Sequence, residues 1–474
     1  MQTGERENIL QIKTVANPLG TELVGKLMLR FGIPAIVSML VNAAYNLTDQ
    51  IVIGNVTGML GIAATNVAFP LMTINAAITY LFGSGGASDY NLKLGEGNKE
   101  AANAAACNTL SLLAVTGAFI AIVVLIFVDP LIVAFGATNA VKPMAATYTT
   151  IIAIGLPFGI FSAGACYLIR ADGSPRYAMI CMLSGAVFNM IADPVTAFVF
   201  KWGIAGIAWA TTVGQMLTAC IAVYYFIRKA KTISVRKALL IPNLRLGKHI
   251  ASLGAASCIN QLGETVLQIV LNNTLRHYGA LSVYGSDIPL GGVGAIAKLN
   301  AVHAAIMIGI AQGCQPINSF NYGAKQYERV KITLRLAMLA AGSISVIVFL
   351  VYQIFPRELM FIFGESDPLY LEFSIRYLRV FMLLTFLRGI QPIVATFFPS
   401  IGNAKRGTWI AMSRQILFIV PLLIVLPIIM GIDGIFYAGP IADFCAACIS
   451  AAFVIIEIKR LNRLKFDVCS DGIR

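Results

Sequence analysis

The chain has 474 residues, 58% of them hydrophobic and only 12% charged, with a mean hydropathy of +0.79. That balance excludes a soluble globular domain, and the polar stretches that remain are too short for a soluble catalytic one. The formal net charge of +13 would suit nucleic-acid binding, but its placement along the chain ties it to membrane topology instead.

Residues 1–26 mix Glu5, Arg6, Glu7, Lys13, Glu22 and Lys26 and read as a cytoplasmic N-terminal arm. They hold no short apolar core followed by a cleavage site, so no signal peptide is expected and the first span serves as the insertion signal. About 20 apolar residues cross the ~30 Å hydrocarbon core as a helix. Twelve such stretches follow, at 27–53, 60–84, 103–128, 143–169, 176–200, 205–227, 249–275, 289–314, 332–355, 369–397, 407–430 and 434–456. The expected fold is an all-α membrane protein with twelve transmembrane helices in two pseudo-symmetric six-helix bundles, 27–227 and 249–456. A basic cytoplasmic linker, 228–248, joins the bundles, and residues 457–474 form a cytoplasmic tail.

The linker region carries seven basic residues and no acidic one, while only Lys142, Lys201, Arg276 and Arg357 fall in the odd-numbered connections. Lys and Arg favour cytoplasmic loops, so both termini are expected inside a plasma membrane. Pro34, Pro70, Pro157, Pro194, Pro392 and the Pro421/Pro427 pair mark helix breaks. They free backbone carbonyls at membrane depth, which is tolerated beside protein or a wet cavity.

The second six spans repeat the punctuation of the first six. Gly83–Asn91 (GSGGASDYN) is echoed by Gly313–Asn321 (GCQPINSFN), and Phe135-Gly136-Ala137 by Phe363-Gly364-Glu365. Gly203-Ile-Ala-Gly206-Ile is echoed by Gly431-Ile-Asp-Gly434-Ile. Two such halves can rock about a site held between them, which is the architecture of a solute carrier. The Gly83-Ser-Gly-Gly86 string is not followed by the Lys and Ser/Thr of a phosphate-binding loop, which disfavours an ATP-driven pump. The nine cysteines lie mainly in apolar spans and imply no disulfide framework. The Cys445-Ala-Ala-Cys448 string sits mid-helix without a second ligand pair, so no zinc site is expected.

Ionisable groups at membrane depth are costly and serve pathways. Four acids lie well inside apolar spans: Asp49, Asp193, Glu264 and Asp443. Asp49 belongs to a polar island, Tyr45-Asn46-Leu47-Thr48-Asp49-Gln50. Asn189 and Asp193 are four apart, on one side of one helix, and Pro194 leaves a carbonyl free in the preceding turn. Carboxylate, amide and carbonyl oxygens make the ligand set of a hard cation, and the same group is equally suited to hold a proton. Asp443 either serves the pathway or hydrogen-bonds a neighbouring helix. Of the basic residues within spans, Arg30, Arg376 and Arg379 lie near span ends, where long side chains reach the interface. Lys298 and Arg388 are expected to pair with Glu264 or Asp443, and His303, on the same helix as Lys298, is a candidate for a proton relay. Aromatic residues and 16 Met suit either an adaptable cavity for flat cations or ordinary packing.

These residues together resemble the multidrug and toxic compound extrusion (MATE) family, nearest to its MepA-like branch. The resemblance rests on Asp49 after a Pro34-containing first span, Asn189-x-x-x-Asp193, and Gly203-Ile-Ala-Gly206-Ile-Ala-Trp209-Ala-Thr211. Glu264 and Gln315-Pro316 before Asn321-Tyr-Gly323 add to it, and it covers roughly residues 20–460. It implies a V-shaped pair of bundles that exports small organic cations by antiport with Na⁺ or H⁺. It also implies a cation site of Asp49, Asn189, Asp193 and Thr211; the first three would hold Na⁺ in a sodium-coupled exporter. Glu264, Lys298, His303 and Asp443 are candidates for a further substrate or proton site. One departure is clear: some relatives place a carboxylate on span ten, where this chain offers Arg388. No cofactor besides the transported ion is expected, no nucleic-acid partner, and a monomer in contact with membrane lipid. Two rival readings are a flippase for lipid-linked sugars, which shares the duplicated bundle, and a membrane-embedded enzyme. The second is disfavoured because His249, His277 and His303 show no metal or triad spacing.

Overall fold

The computed structural model describes residues 17–362 and 367–471. The charged arm residues Glu5, Arg6, Glu7 and Lys13, the Phe363-Gly364-Glu365 echo and the last three residues lie outside the described ones. All regular structure among the described residues is helical. Every expected span meets a helix. Spans one and two form Val24–Ile78, which runs through a π-helical turn, Thr79–Ser84, into Gly85–Gly95. Lys99–Ile126, Lys142–Ala171, Pro175–Pro194 and Gly203–Arg228 complete the first six. The second six are Leu244–Ala280, Asp287–Gly323, Tyr327–Ile354, the bent pair Pro368–Phe381 and Thr385–Ser400, Ala404–Met430 and Ile432–Asp471.

By length and hydropathy alone, nine of the described helices are fit to cross a membrane, ten with the bent pair. The expected twelve are reached because one of these helices, 72 residues long, is two crossings that reverse at Gly58 (φ 60°). Leu244–Ala280 is long enough but too polar to pass that test, because Asn260, Gln261, Glu264, Gln268, Asn272 and Asn273 interrupt it. A helix so polar is stable at membrane depth only where its polar face meets protein or water.

The repeated glycines have a backbone reason. Gly203 and Gly431 take φ 58° and 61° at the starts of spans six and twelve, a conformation that costs an L side chain about 1 kcal/mol or more. Three residues on, a Cβ at Gly206 would lie 2.9 Å from the Thr196 Cβ, and one at Gly434 would lie 2.4 Å from the Leu426 carbonyl carbon. Each motif therefore turns the chain and seats the new helix on the previous one.

The proline breaks are realised unevenly. Pro194 is followed by a π-helical turn, Val195–Val199. Ser413–Ile419 is a further such turn just before Pro421. Span ten bends by 52° between Phe381 and Thr385, upstream of Pro392. Pro34, by contrast, stays within a continuous helix, where its carbonyl accepts from the Ser38 hydroxyl at 2.8 Å.

Span one packs along span eight and span seven along span two. Glycines allow the approach: a Cβ at Gly313 would lie 2.6 Å from the Gly32 Cα, and one at Gly254 only 1.9 Å from the Leu81 carbonyl oxygen. The hydrogen bonds that join the two sets of six start at mid-span with Thr265 to Thr73 (3.3 Å). They continue through Gln312 to Tyr167 (2.8 Å) and Gln315 to Ser88 (2.8 Å). They end with Arg329 donating to the Leu19 and Glu22 carbonyls. All lie between mid-span and the end that bears the linker. Toward the other end Asn42, Asn46 and Gln50 of span one and Gln268, Asn272 and Asn273 of span seven are exposed. The halves close on each other at the linker end and leave a cleft at the opposite one.

Candidate ion-coupling site

Asp49 and Asp193 come together inside the first six helices. Span one delivers Asp49, which is 8% exposed, and span five delivers Asp193, which is fully buried. Their carboxyl groups lie within hydrogen-bonding reach of each other. The Asn189 amide, one turn before Asp193, donates to Asp193 Oδ1 at 3.1 Å and to the Thr211 hydroxyl of span six at 3.0 Å. Thr211 in turn meets the Tyr45 hydroxyl, and Tyr148 of span four stands close to both acids. All four expected residues thus share one site built from spans one, five and six.

Local sequence explains the geometry. Pro194 brings no N–H to the helix, so the carbonyl four residues back, at Met190, loses its usual donor. The chain then loosens into the π-helical turn Val195–Val199, and Thr196 donates to the Asp193 carbonyl at 3.2 Å. Asp193 is therefore held just before a widened turn.

Three oxygens in this cluster, Asp49 Oδ1, Asp193 Oδ2 and Asn189 Oδ1, are buried without a hydrogen-bond partner among the described residues. Buried polar groups are almost always paired, and an orphaned acceptor costs about 1–3 kcal/mol. Two adjacent carboxylates also repel, which a shared proton or a bound cation relieves. The free acceptors are all oxygens, which suits a hard monovalent cation or a proton, and among the described residues no Lys or Arg forms an ion pair with either acid.

A cavity of about 200 Å³ adjoins the acids. Asn189, Thr211 and Tyr45 line it together with Asn42, Asn75 and Gln215. These last residues were not singled out as site residues from the sequence. A signal existed, since Asn42, Tyr45 and Asp49 are spaced three and four apart and so share one helix face. Asn75 and Gln215 carried none, because isolated amides in apolar helices are common in membrane bundles.

The second six helices are arranged differently. Asp443 pairs with Arg414, with Nε to Oδ1 at 2.7 Å and both side chains at most 3% exposed. Glu264 accepts from the Gln415 amide at 3.1 Å. The expectation that Lys298 and Arg388 pair with these acids is corrected. Arg388 sits just past the bend of span ten and donates to Asn300 at 3.2 Å, while Lys298 is exposed on span eight. Arg414 is closer to Asp443 because spans eleven and twelve are adjacent antiparallel neighbours. His303 bonds Ser345 at 2.9 Å. Among the described residues no group of three or more His, Cys, Asp or Glu is placed to hold a metal.

Comparison with known proteins places the chain. The MatE family model matches residues 34–195 and 256–425, one segment in each half. The chain is 24% identical over 447 residues to the multidrug export protein MepA of Staphylococcus haemolyticus, covering 94% of this chain and 96% of that one. It is also 24% identical over 429 residues to an FAD transporter of Shewanella oneidensis, covering 89% and 92%. Among solved structures, an outward-facing multidrug resistance MATE transporter superposes with a TM-score of 0.88 at 21% identity, over 95% of this chain and 99% of that one. A MATE protein in its bent conformation gives 0.85 at 21% identity, over 93% and 96%. With both halves matched by the family model, the chain belongs to the MatE family of membrane transporters.

Proposed function

We propose that the chain is a secondary active exporter of small organic cations, a multidrug efflux antiporter driven by Na⁺ or H⁺. The observation that carries this reading is the trio of orphaned oxygens on Asp49, Asp193 and Asn189 beside a cavity lined by Tyr45 and the amides of Asn42, Asn75 and Gln215. Ion and cargo sites share Asn189, Thr211 and Tyr45, so occupancy of one alters the other without any long-range relay. With the linker and termini on the cytoplasmic side of the plasma membrane, the cleft opens outward. In that state an ion entering the Asp49/Asp193 pair weakens the hold on a cationic cargo, which leaves to the outside. The loaded, neutralised cluster then permits closure of the outer cleft and opening at the inner seam, where the ion exchanges for new cargo.

Energetics favour exchange. Moving one charge across ~100 mV costs about 2.3 kcal/mol. Swapping one monovalent cation for another cancels that cost and leaves the ion's concentration gradient as the drive. The ion must bind one conformation better than the other to drive the cycle. The Na⁺ reading uses Asp49, Asn189 and Asp193 as ligands, with the Thr211 hydroxyl alongside. In the H⁺ reading the two carboxyl groups share the proton.

The test is efflux of a fluorescent organic cation from sealed vesicles, with a Na⁺ gradient or a pH gradient imposed one at a time. One gradient should drive efflux in the parent and neither should in Asp49→Asn or Asp193→Asn. Undiminished gradient-driven efflux in both variants would refute the proposal.

A further inference from the structure

We propose that residues 228–248 form a docking surface for the headgroups of anionic phospholipids in the adjacent membrane leaflet. Hydrogen bonds to the first six helices make this linker a fixed strap. The Asp172 carboxylate, buried at the end of span four, accepts from the backbone N–H groups of Lys231 (2.6 Å), Thr232 (2.8 Å) and Ile233 (3.1 Å). The hydroxyls of Tyr225 (2.6 Å) and Thr232 (2.5 Å) donate to the same group. Further along, Ser234 N–H donates to Asn103 Oδ1 at 2.9 Å, and the Ser111 hydroxyl donates to the Leu240 carbonyl at 2.6 Å. The Asn108 amide donates to the Asn243 carbonyl at 3.2 Å.

These anchors use the strap's backbone and leave most of its long side chains outward. Arg228, Lys229, Arg236, Arg245 and Lys248 are exposed, and none forms an ion pair among the described residues. No acid occurs between 228 and 248. Interleaved with the bases, Ile241 and Leu244 are 75% and 76% exposed, and Val235 is exposed as well. Ile241 lies just before span seven and Leu244 is its first residue. A basic surface alone would suit any polyanion. Apolar side chains between the bases, at a membrane edge, fit a ligand with phosphate above and acyl chain below.

The site also spans two pieces. Arg236 lies on the part of the strap tied to the first six helices, whereas Arg245 and Lys248 lie on the first turn of span seven. An anionic headgroup shared between them opposes separation of the inner seam, where His249 of span seven meets Asp89 of span two at 3.4 Å.

The full-length protein in phosphatidylcholine nanodiscs containing a minority of phosphatidylglycerol provides the test, with retained lipids counted by native mass spectrometry. Enrichment of phosphatidylglycerol is expected, and the Arg236→Gln/Arg245→Gln/Lys248→Gln variant should reduce it about tenfold. A charge-matched control, Lys99→Gln/Lys325→Gln/Lys405→Gln, should leave it within about twofold of the parent. Ile241→Ser/Leu244→Ser should weaken lipid retention without changing the protein's charge. The proposal is overturned by equal retention of the two lipids in the parent, or by full retention in the strap triple variant. An equal loss in the charge-matched control also overturns it, as does competition by millimolar inorganic phosphate that matches the lipid.

Discussion

The two halves of this molecule repeat a fold and part company in their charges. In the first six helices Asp49 and Asp193 face each other with oxygens left over and, among the described residues, no ion pair to a Lys or Arg. In the second six, Asp443 already has a cation, the Arg414 guanidinium at 2.7 Å. At the offset that relates Gly173 to Gly402, both of positive φ, Asp193 falls on Leu422 and Asn189 on Phe418. The duplicated scaffold therefore holds one acid pair with unpartnered oxygens and one acid paired with a fixed guanidinium. What a helix repeat preserves is packing, enforced by glycines at turns and contacts; buried charge is free to diverge wherever each half satisfies its own electrostatics.

The largest effect on transport should come from emptying the open site. Asp193→Asn is expected to lower gradient-driven efflux about 100-fold, equivalent to about 2.7 kcal/mol, with Asp49→Asn similar, measured as initial rates in vesicles. Next is breaking the closed site. Arg414→Leu leaves Asp443 buried and alone, a change that costs about 3–5 kcal/mol. The loss should appear as a lowered melting temperature in detergent, with much of it regained in Arg414→Leu/Asp443→Leu. If the single and double variants melt alike, the pair is not the closed unit described here.

Gly254→Val probes the shared seam rather than either charge cluster. Its side chain would collide with the Leu81 carbonyl, so the linker end should be held apart. Increased labelling of a cysteine introduced at Ser84 from the cytoplasmic side, with slower efflux, is the expected result; unchanged labelling would show that the seam tolerates the bulk. The smallest effect should attend Lys298→Gln, since Lys298 is exposed and forms no ion pair with Glu264 or Asp443. Efflux should stay within about twofold and stability within about 0.5 kcal/mol.

Much of this was legible in the sequence because oil is an unforgiving solvent. Twelve apolar lengths marked the helices, and Asp49, Asn189 and Asp193 stood out as oxygens where oxygens are costly. The expected pairing of Arg388 with Glu264 or Asp443 is not met because the bend after Phe381 sets Arg388 toward Asn300 instead. Glu264 found an amide, Gln415, and nothing in its own helix signals a neutral partner on another. The π-helical turn after Pro194 and the wall of Asn75 and Gln215 depend on tertiary packing, which periodicity does not encode. Span seven was recognised by length despite its polarity, and its exposed amides gain their meaning only beside the cleft.

Displacement at equilibrium tests the central claim most directly. Purified transporter in weakly buffered detergent solution is titrated with an organic cation such as tetraphenylphosphonium, while released protons are followed with a pH dye and released sodium with ²²Na⁺. Because coupling is reciprocal, cargo binding should expel about one ion per transporter from the parent and none from Asp49→Asn/Asp193→Asn. Cargo that binds the parent tightly without releasing either ion would contradict the account.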